Sequence, residues 1–222
     1  MTQTLPLFPL GTVLFPGLLL PVHVFEERYR QLVRDLQAGP GPARFGVVAI
    51  RAGWETGADG VRDLYDTGCV AVVRRVTEHE DGRCDLVTAG ARRFKLLSVD
   101  SHGPYLRGEV ETLPEETGGE APARAEAGAV RAAFGTYLDT LSRRGAAQIR
   151  VPELPDDPLS LSYLVAATMI LDLPDRQSLL AVPHAAARLA AERALLARET
   201  TMLRALESAP VPDMKYSPYS PN

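Results

Sequence analysis

The side chains that could do chemistry in this chain are few. The sequence holds four histidines, two cysteines and two lysines among 222 residues. His23, His79, His102 and His184 fall at a predicted strand end, a turn, a loop and a helix start. Neither their spacing nor their distance from Cys69 and Cys84 matches a metal-ligand pattern, so no metal is expected. No Gly-x-x-x-x-Gly-Lys-Ser/Thr run cradles a phosphate. Lys95 lies in a predicted strand and Lys215 near the carboxyl end, so neither is placed to activate a serine nucleophile. Asp156-Asp157 opens a helix and Glu115-Glu116 sits in a linker, which does not set a general acid and base across a cleft. The expectation is a protein without catalytic residues or a cofactor. Arg74-Arg75 and Arg92-Arg93 could meet on neighbouring strands, but side chains alternate across a strand and each pair offers one arginine per face.

Composition narrows the class further. Net charge is −4, so no general positive field recruits nucleic acid or an anionic membrane. Hydrophobic residues make up 45%, enough for a sizeable core in one large domain or two lobes. The apolar amino-terminal run has no basic residue before Arg28 and is interrupted by Pro6, Pro9, Pro16 and Pro21, so it does not read as a signal peptide. No apolar stretch is long enough to span a bilayer. The cytoplasm is the expected compartment, with Cys69 and Cys84 as free thiols.

The elements that must position these residues begin with Leu5–Phe25. Each proline removes a backbone donor, which excludes one long helix and leaves short extended segments around the Pro16-Gly17 turn. A helix follows, with Phe25, Tyr29, Leu32, Val33 and Leu36 on one face and Glu27, Arg30, Gln31 and Arg34 opposite. Glu26 and Arg30 have the spacing of a helical ion pair. Phe45–Ile50 reads as a buried strand and Arg51–Thr67 as a loop carrying Trp54, the only tryptophan. Strands then run over Gly68–Thr77, Cys84–Ala89, Arg93–Val99 and Tyr105–Glu111. The turn at Glu80-Asp81-Gly82 sets Cys84 opposite a residue around Glu78, well away from Cys69. Gly90 marks a bend or a close backbone approach. Many short strands around one helix suggest a small barrel, closed or half closed.

Residues 114–123 are rich in Pro, Glu and Gly and read as a linker, after which strand signals stop. Helices follow: Ala125–Leu141, with Arg143 and Arg144 in its last turn and Gly145 after it; a buried one from Asp157-Pro158 through Leu171; a short one opened by Pro174; and a last one opened by Pro183. Leu189, Leu196 and Leu203 lie seven apart and are expected to pack within the chain's own bundle, making a monomer or weak dimer. The expected organisation is α+β: a β-rich lobe at 1–113, a linker at 114–123, a helical lobe at 124–208 and a poorly ordered tail at 209–222.

One run carries a resemblance. Leu7-Phe8-Pro9-Leu10-Gly11, Phe15-Pro16-Gly17 and Leu20-Pro21-Val22-His23-Val24-Phe25-Glu26, followed by Arg28-Tyr29, resemble the opening of the Lon protease amino-terminal, substrate-binding domain, in particular its stand-alone bacterial forms. Gly90-Ala91-Arg92-Arg93-Phe94, Asp157-Pro158 and Asp175-Arg176-Gln177 through Arg188-Leu189 extend the likeness to nearly the whole chain. Arg176 stands where that family usually has Lys, and Ser162-Tyr163 where the proteases often have Ala-Asp. The resemblance implies a pseudo-barrel related to the PUA fold and a module that recognises exposed or client polypeptide, working with a protease or chaperone partner. It implies an apolar groove with a polar rim, for which Glu27, Arg28 and Gln31 are candidates with Trp54 as an aromatic anchor. Taken alone, the same residues read as a solvated helix face and a ring packed against the barrel edge. The alternative function is binding of a small molecule or RNA by the PUA-like lobe.

Overall fold

A computed structural model of the chain describes residues 2–55, 61–143 and 153–208. In chain order the elements are β1 (Thr2–Leu10), β2 (Leu19–Val24), α1 (Glu27–Ala38), β3 (Arg44–Gly53), β4 (Val61–Glu78), β5 (Cys84–Asp100), β6 (Arg107–Thr112), α2 (Glu120–Arg143), α3 (Pro158–Thr168), α4 (Leu173–Ala181) and α5 (Ala185–Ser208). The architecture is α+β, a strand-rich lobe followed by a helical one.

The strands form one mixed sheet in the order β2-β5-β4-β3-β1-β6, closed on itself by β5–β6 pairing. Closure works because two strands change partner along their length. Residues Cys84–Ala89 of β5 pair with β2, and Phe94–Asp100 pair with β6. Thr2–Pro6 of β1 pair antiparallel with β6, whereas Leu7–Leu10 pair parallel with β3. Over that second half, β6 has left the other edge of β1. The outer edge of β2 likewise has no ladder partner among the described residues. The barrel wall therefore has a seam between β1 and β2. Pro9 and Pro21 lie in these singly paired stretches, where a missing donor is tolerated.

Helix α1 packs the inner end of this lobe. Tyr29, Leu32 and Val33 are buried with Phe8, Phe45 and Cys69, and the Phe8 and Tyr29 rings stack at 4.1 Å. Each such side chain contributes about 1.5–3 kcal/mol by leaving water. Phe25 does not belong to the helical face: Glu26 is the N-cap residue and Phe25, before it, is 51% exposed. Arg30 consequently pairs with Glu27 at 3.1 Å instead of Glu26, which is taken by Arg28 at 2.9 Å.

Other boundaries also differ from those expected. Most of the expected loop at 51–67 is strand, because β3 continues to Gly53 and β4 begins at Val61 with bulged pairing between them. The expected bend at Gly90 lies within one continuous strand, and a close backbone approach is its cause. Gly90 donates to Leu18 O at 2.8 Å and accepts from Gly17 N at 2.9 Å. A side chain there would place Cβ 2.2 Å from Phe15 O. The hairpin register sets Glu78 opposite Cys84, as the turn chemistry predicts, and both cysteines are free and buried.

In the helical lobe, Asp157 caps α3 by accepting from Ser160 N at 2.9 Å. Helix α3 stops at Thr168, leaving Ile170 exposed, so the expected helix through Leu171 is too long. Helix α5 starts at Ala185, two residues after Pro183, with His184 Nδ1 accepting from Ala187 N at 3.2 Å. Leu189 and Leu196 are fully buried against α2 and α3, so the leucine heptad serves the chain's own core. Helix α2 begins at Glu120, inside the expected linker. Arg144, Gly145 and the tail at 209–222 lie outside the described residues.

The lobes share a core and a polar clamp. Val13, Phe15 and Ala49 from the first lobe bury against Tyr163, Ala166, Leu179 and Leu180 from the second. Arg93 of β5, 1% exposed, donates to the carbonyls of Leu180 (3.0 Å), Val182 (2.5 Å), Pro183 (3.0 Å) and Pro114 (3.0 Å) and to Glu115 (3.2 Å). Glu115 also accepts from the Tyr163 hydroxyl. Gln177 Nε2 reaches Thr67 O at 2.8 Å. Ala185 N and Ala186 N donate to Glu116 O and Thr117 O at 2.9 Å each, so the connecting segment is tied down on both sides.

Candidate functional site

The seam between β1 and β2 is a groove. Phe8, Pro9 and Leu10 of β1 form one wall, Leu20, Pro21, Val22 and His23 of β2 the other, and Phe25, Glu26, Tyr29 and Glu55 close it. Successive strand side chains point to opposite faces. Four consecutive β2 residues can line one groove only if it runs along the strand's edge. The walls are apolar and the cavity volume is about 260 Å³. Burial pushes the Tyr29 phenol up to about 12, so the ring at the floor stays neutral.

The rim holds the polar groups. Arg28 pairs with Glu26, donates to Glu55 O at 2.8 Å, and stacks its guanidinium 4.6 Å from the Tyr29 ring. The Glu55 carboxylate accepts from Gly11 N at the end of β1. Arg28 thus fixes the segment carrying Trp54 and Glu55 at one end of the groove. Trp54 is 71% exposed, so the ring does not pack on the barrel edge as its bland reading expects. Glu27 and Gln31 are placed differently. Glu27 pairs with Arg30 and Arg34 (3.1 and 2.5 Å), and Gln31 bonds Asp35 and Arg34 (2.6 and 2.7 Å), in a network along the helix surface. Arg28 and Trp54 stand beside the groove's Glu55 end, and none of Glu27, Gln31, Arg28 and Trp54 lines the groove itself. Phe25, which does, was hidden in the sequence by its place on an apparent helical face.

The arginine pairs do not form a joint basic face, because Arg93 is buried in the interlobe clamp. Burial pushes the Cys69 thiol up to about 12, so it is held as an inert thiol.

A second polar cluster was missed by chain spacing. His23 of β2 stands opposite Asp85 of β5, and His79 follows β4 at the same end of the sheet. Asp85 accepts from both rings, His23 Nδ1 at 2.6 Å and His79 Nε2 at 2.7 Å, and these hydrogen bonds hold its carboxyl below the usual range. The expected hairpin near Asp81 brought His79 and Asp85 to the same turn, and the observed register sets Thr77 opposite Asp85. No sequence signal sets β2 against β5.

This architecture defines a class: a pseudo-barrel with an apolar seam at its edge and a helical lobe clamped to it, a domain built for binding. The family profile of the substrate-binding domain of ATP-dependent protease La (Lon) matches residues 4–198, and the chain belongs to that family. Among curated proteins it is similar to Lon protease 2 of Syntrophobacter fumaroxidans, 28% identical over 84% of this chain and 23% of that protein. It is 30% identical to the Lon protease of Desulfovibrio desulfuricans over 89% of this chain and 22% of that one. The chain spans about a quarter of the length of these relatives. The crystal structure of a Lon N-terminal domain protein from Xanthomonas campestris superposes with a TM-score of 0.62 at 27% identity, covering 88% of this chain and 98% of that one. The N-terminal domain of a Mycobacterium avium complex Lon protease shares the fold, with a TM-score of 0.63 at 19% identity over 90% and 98% of the two chains.

Proposed function

We propose that this domain is a non-catalytic binding module that takes up extended apolar segments of unfolded or client polypeptides in the β1–β2 seam and presents them to a protease or chaperone partner in the cytoplasm. One observation carries the reading: two strand edges without ladder partners among the described residues flank an apolar groove. An added extended segment gains main-chain hydrogen bonds from such edges and buries alternate side chains in the groove. Pro9 and Pro21 limit the donors on these edges, which discourages the seam from pairing with other chains indiscriminately. Affinity therefore rests mainly on apolar burial against Phe25 and Trp54. A volume of about 260 Å³ has room for one or two side chains of a polypeptide. Membership of a substrate-binding family supports the same reading.

Anisotropy titration of a labelled, permanently unfolded polypeptide tests it. Trp54→Ala and Phe25→Ala should each weaken binding by about 1–3 kcal/mol, the range for a partly buried aromatic anchor, with melting temperature unchanged. Glu27→Lys should leave affinity nearly unaltered. Equal affinity for all four proteins would remove the groove from consideration.

A further inference from the structure

We propose that His23, His79 and Asp85 form a binding site for a divalent transition-metal ion, with zinc as the best-matched occupant. The three donor atoms, one from each side chain, lie within 4.8 Å of one another at the end of the sheet where β2, β4 and β5 meet. The proposal stands apart from the polypeptide-binding reading, although His23 also lines the groove.

Three backbone positions are held before any ion arrives. His23 and Asp85 are direct partners in the antiparallel β2–β5 ladder. Thr77 and Glu78 pair with Asp85 and Cys84 across β4–β5, which brings His79 to the same edge. The hairpin turn then fixes His79 by its own main chain: its N–H donates to Arg83 O at 2.8 Å and its carbonyl accepts from Gly82 N at 2.9 Å. Gly82 supplies the positive φ of 77° that this turn needs. Ligands on rigid, hydrogen-bonded backbone lose little freedom on coordination.

The donor set selects the ion. Two imidazole nitrogens and one carboxylate oxygen suit zinc, copper or nickel, whereas calcium and magnesium prefer all-oxygen shells. Tetrahedral zinc with bonds of about 2.0–2.2 Å needs donors about 3.3 Å apart. Asp85 already stands 2.6 and 2.7 Å from the two ring nitrogens. All three side chains are about half exposed, so small χ rotations can open the contacts enough to admit the ion. Coordination replaces the hydrogen bonds now made to Asp85. Each ligating nitrogen gives up its proton, to the other ring nitrogen if the ring is neutral or to solvent if it is charged. Three protein ligands leave the fourth position to water.

His102 and Asp100 give an internal control, because they form a similar pair, 2.7 Å apart, without a third ligand. Tag-free protein is titrated with Zn²⁺ in competition with a chromophoric chelator. One ion per chain is expected for the wild type. His23→Gln, His79→Gln and Asp85→Asn should each weaken zinc binding about tenfold or more, as loss of even outer-shell groups does, while His102→Gln changes nothing. Circular dichroism and melting curves should match across the set, since every substituted side chain is exposed. Co²⁺ in place of Zn²⁺ should give a visible spectrum without a thiolate charge-transfer band. No stoichiometric binding, equal affinity in the three ligand variants, the same loss in His102→Gln, or a thiolate band would each overturn the proposal.

Discussion

Glu192 shows how much one side chain can cost. It lies on α5, fully buried, and both carboxylate oxygens lack a hydrogen-bond partner among the described residues. Burial pushes its pKa well above the usual glutamate value, with Arg188 pulling the other way and losing. The folded state therefore favours the protonated form. Its contribution to stability is full below the unfolded glutamate pKa, about 4.3, and is lost as pH rises through the raised folded-state value. Glu192→Gln removes the titration. Relative to wild type, the variant should gain stability progressively between pH 5 and pH 8, by up to about 1.4 kcal/mol per pH unit. Urea melts across that range check it, and a difference independent of pH would contradict the assignment. The spacing did carry a signal, since Glu192 stands three after Leu189 and four before Leu196 on the buried leucine face of α5. Arg93 was hidden, because its partners come from the linker and from the far lobe. It reads as one of a basic pair, yet five interlobe and linker acceptors converge on it. Trp54 was visible as a candidate, but only the structure shows that Arg28 holds the neighbouring Glu55.

At the scale of elements, β5 is the common member of the sheet: it pairs with β2, β4 and β6 in turn. That role depends on Gly90, where the loop before β2 presses its carbonyl against the strand. Gly90→Ala should destabilise by about 2–3 kcal/mol, since backbone on both sides cannot move aside as a side chain would. Gly128→Ala on α2 makes the opposite case. A Cβ there meets nothing within 4 Å, and the substitution should stabilise by about 0.5–1 kcal/mol through helix propensity. Paired melting curves read both signs, and a stable Gly90→Ala would contradict the close approach. The close approach at Gly90, the Asp157 cap and the hairpin register were all legible, because each is local chemistry. The lengths of β4 and β5 were not. Their ladders run past bulges at Cys69/Ala71 and Val73/Arg75, where alternation breaks and the sequence looks like separate short strands. Pro9 and Pro21 marked short extended segments, but only the topology shows that these are edges facing one groove.

At the scale of the molecule, the two lobes are joined by a shared apolar cluster and the Arg93 clamp, not by a loose tether. The helical lobe holds the loop that ends in β2 through Val13 and Phe15, so one wall of the seam is braced from behind. Among the described residues no helix is long and apolar enough to cross a membrane. The α+β class and the family were legible because the Phe-Pro, His23 and Arg28-Tyr29 pattern occurs in one ordered run. The groove was not, since it is made by the absence of a strand between two others. The central claim is that an extended polypeptide fills that absence. Hydrogen exchange on the free protein and on its complex with an unfolded polypeptide tests it most directly. Filling the seam predicts slower exchange in Leu19–Val24, with β4 and α5 unchanged. Slowing confined to the helical lobe, with β2 exchanging as in the free protein, would contradict it.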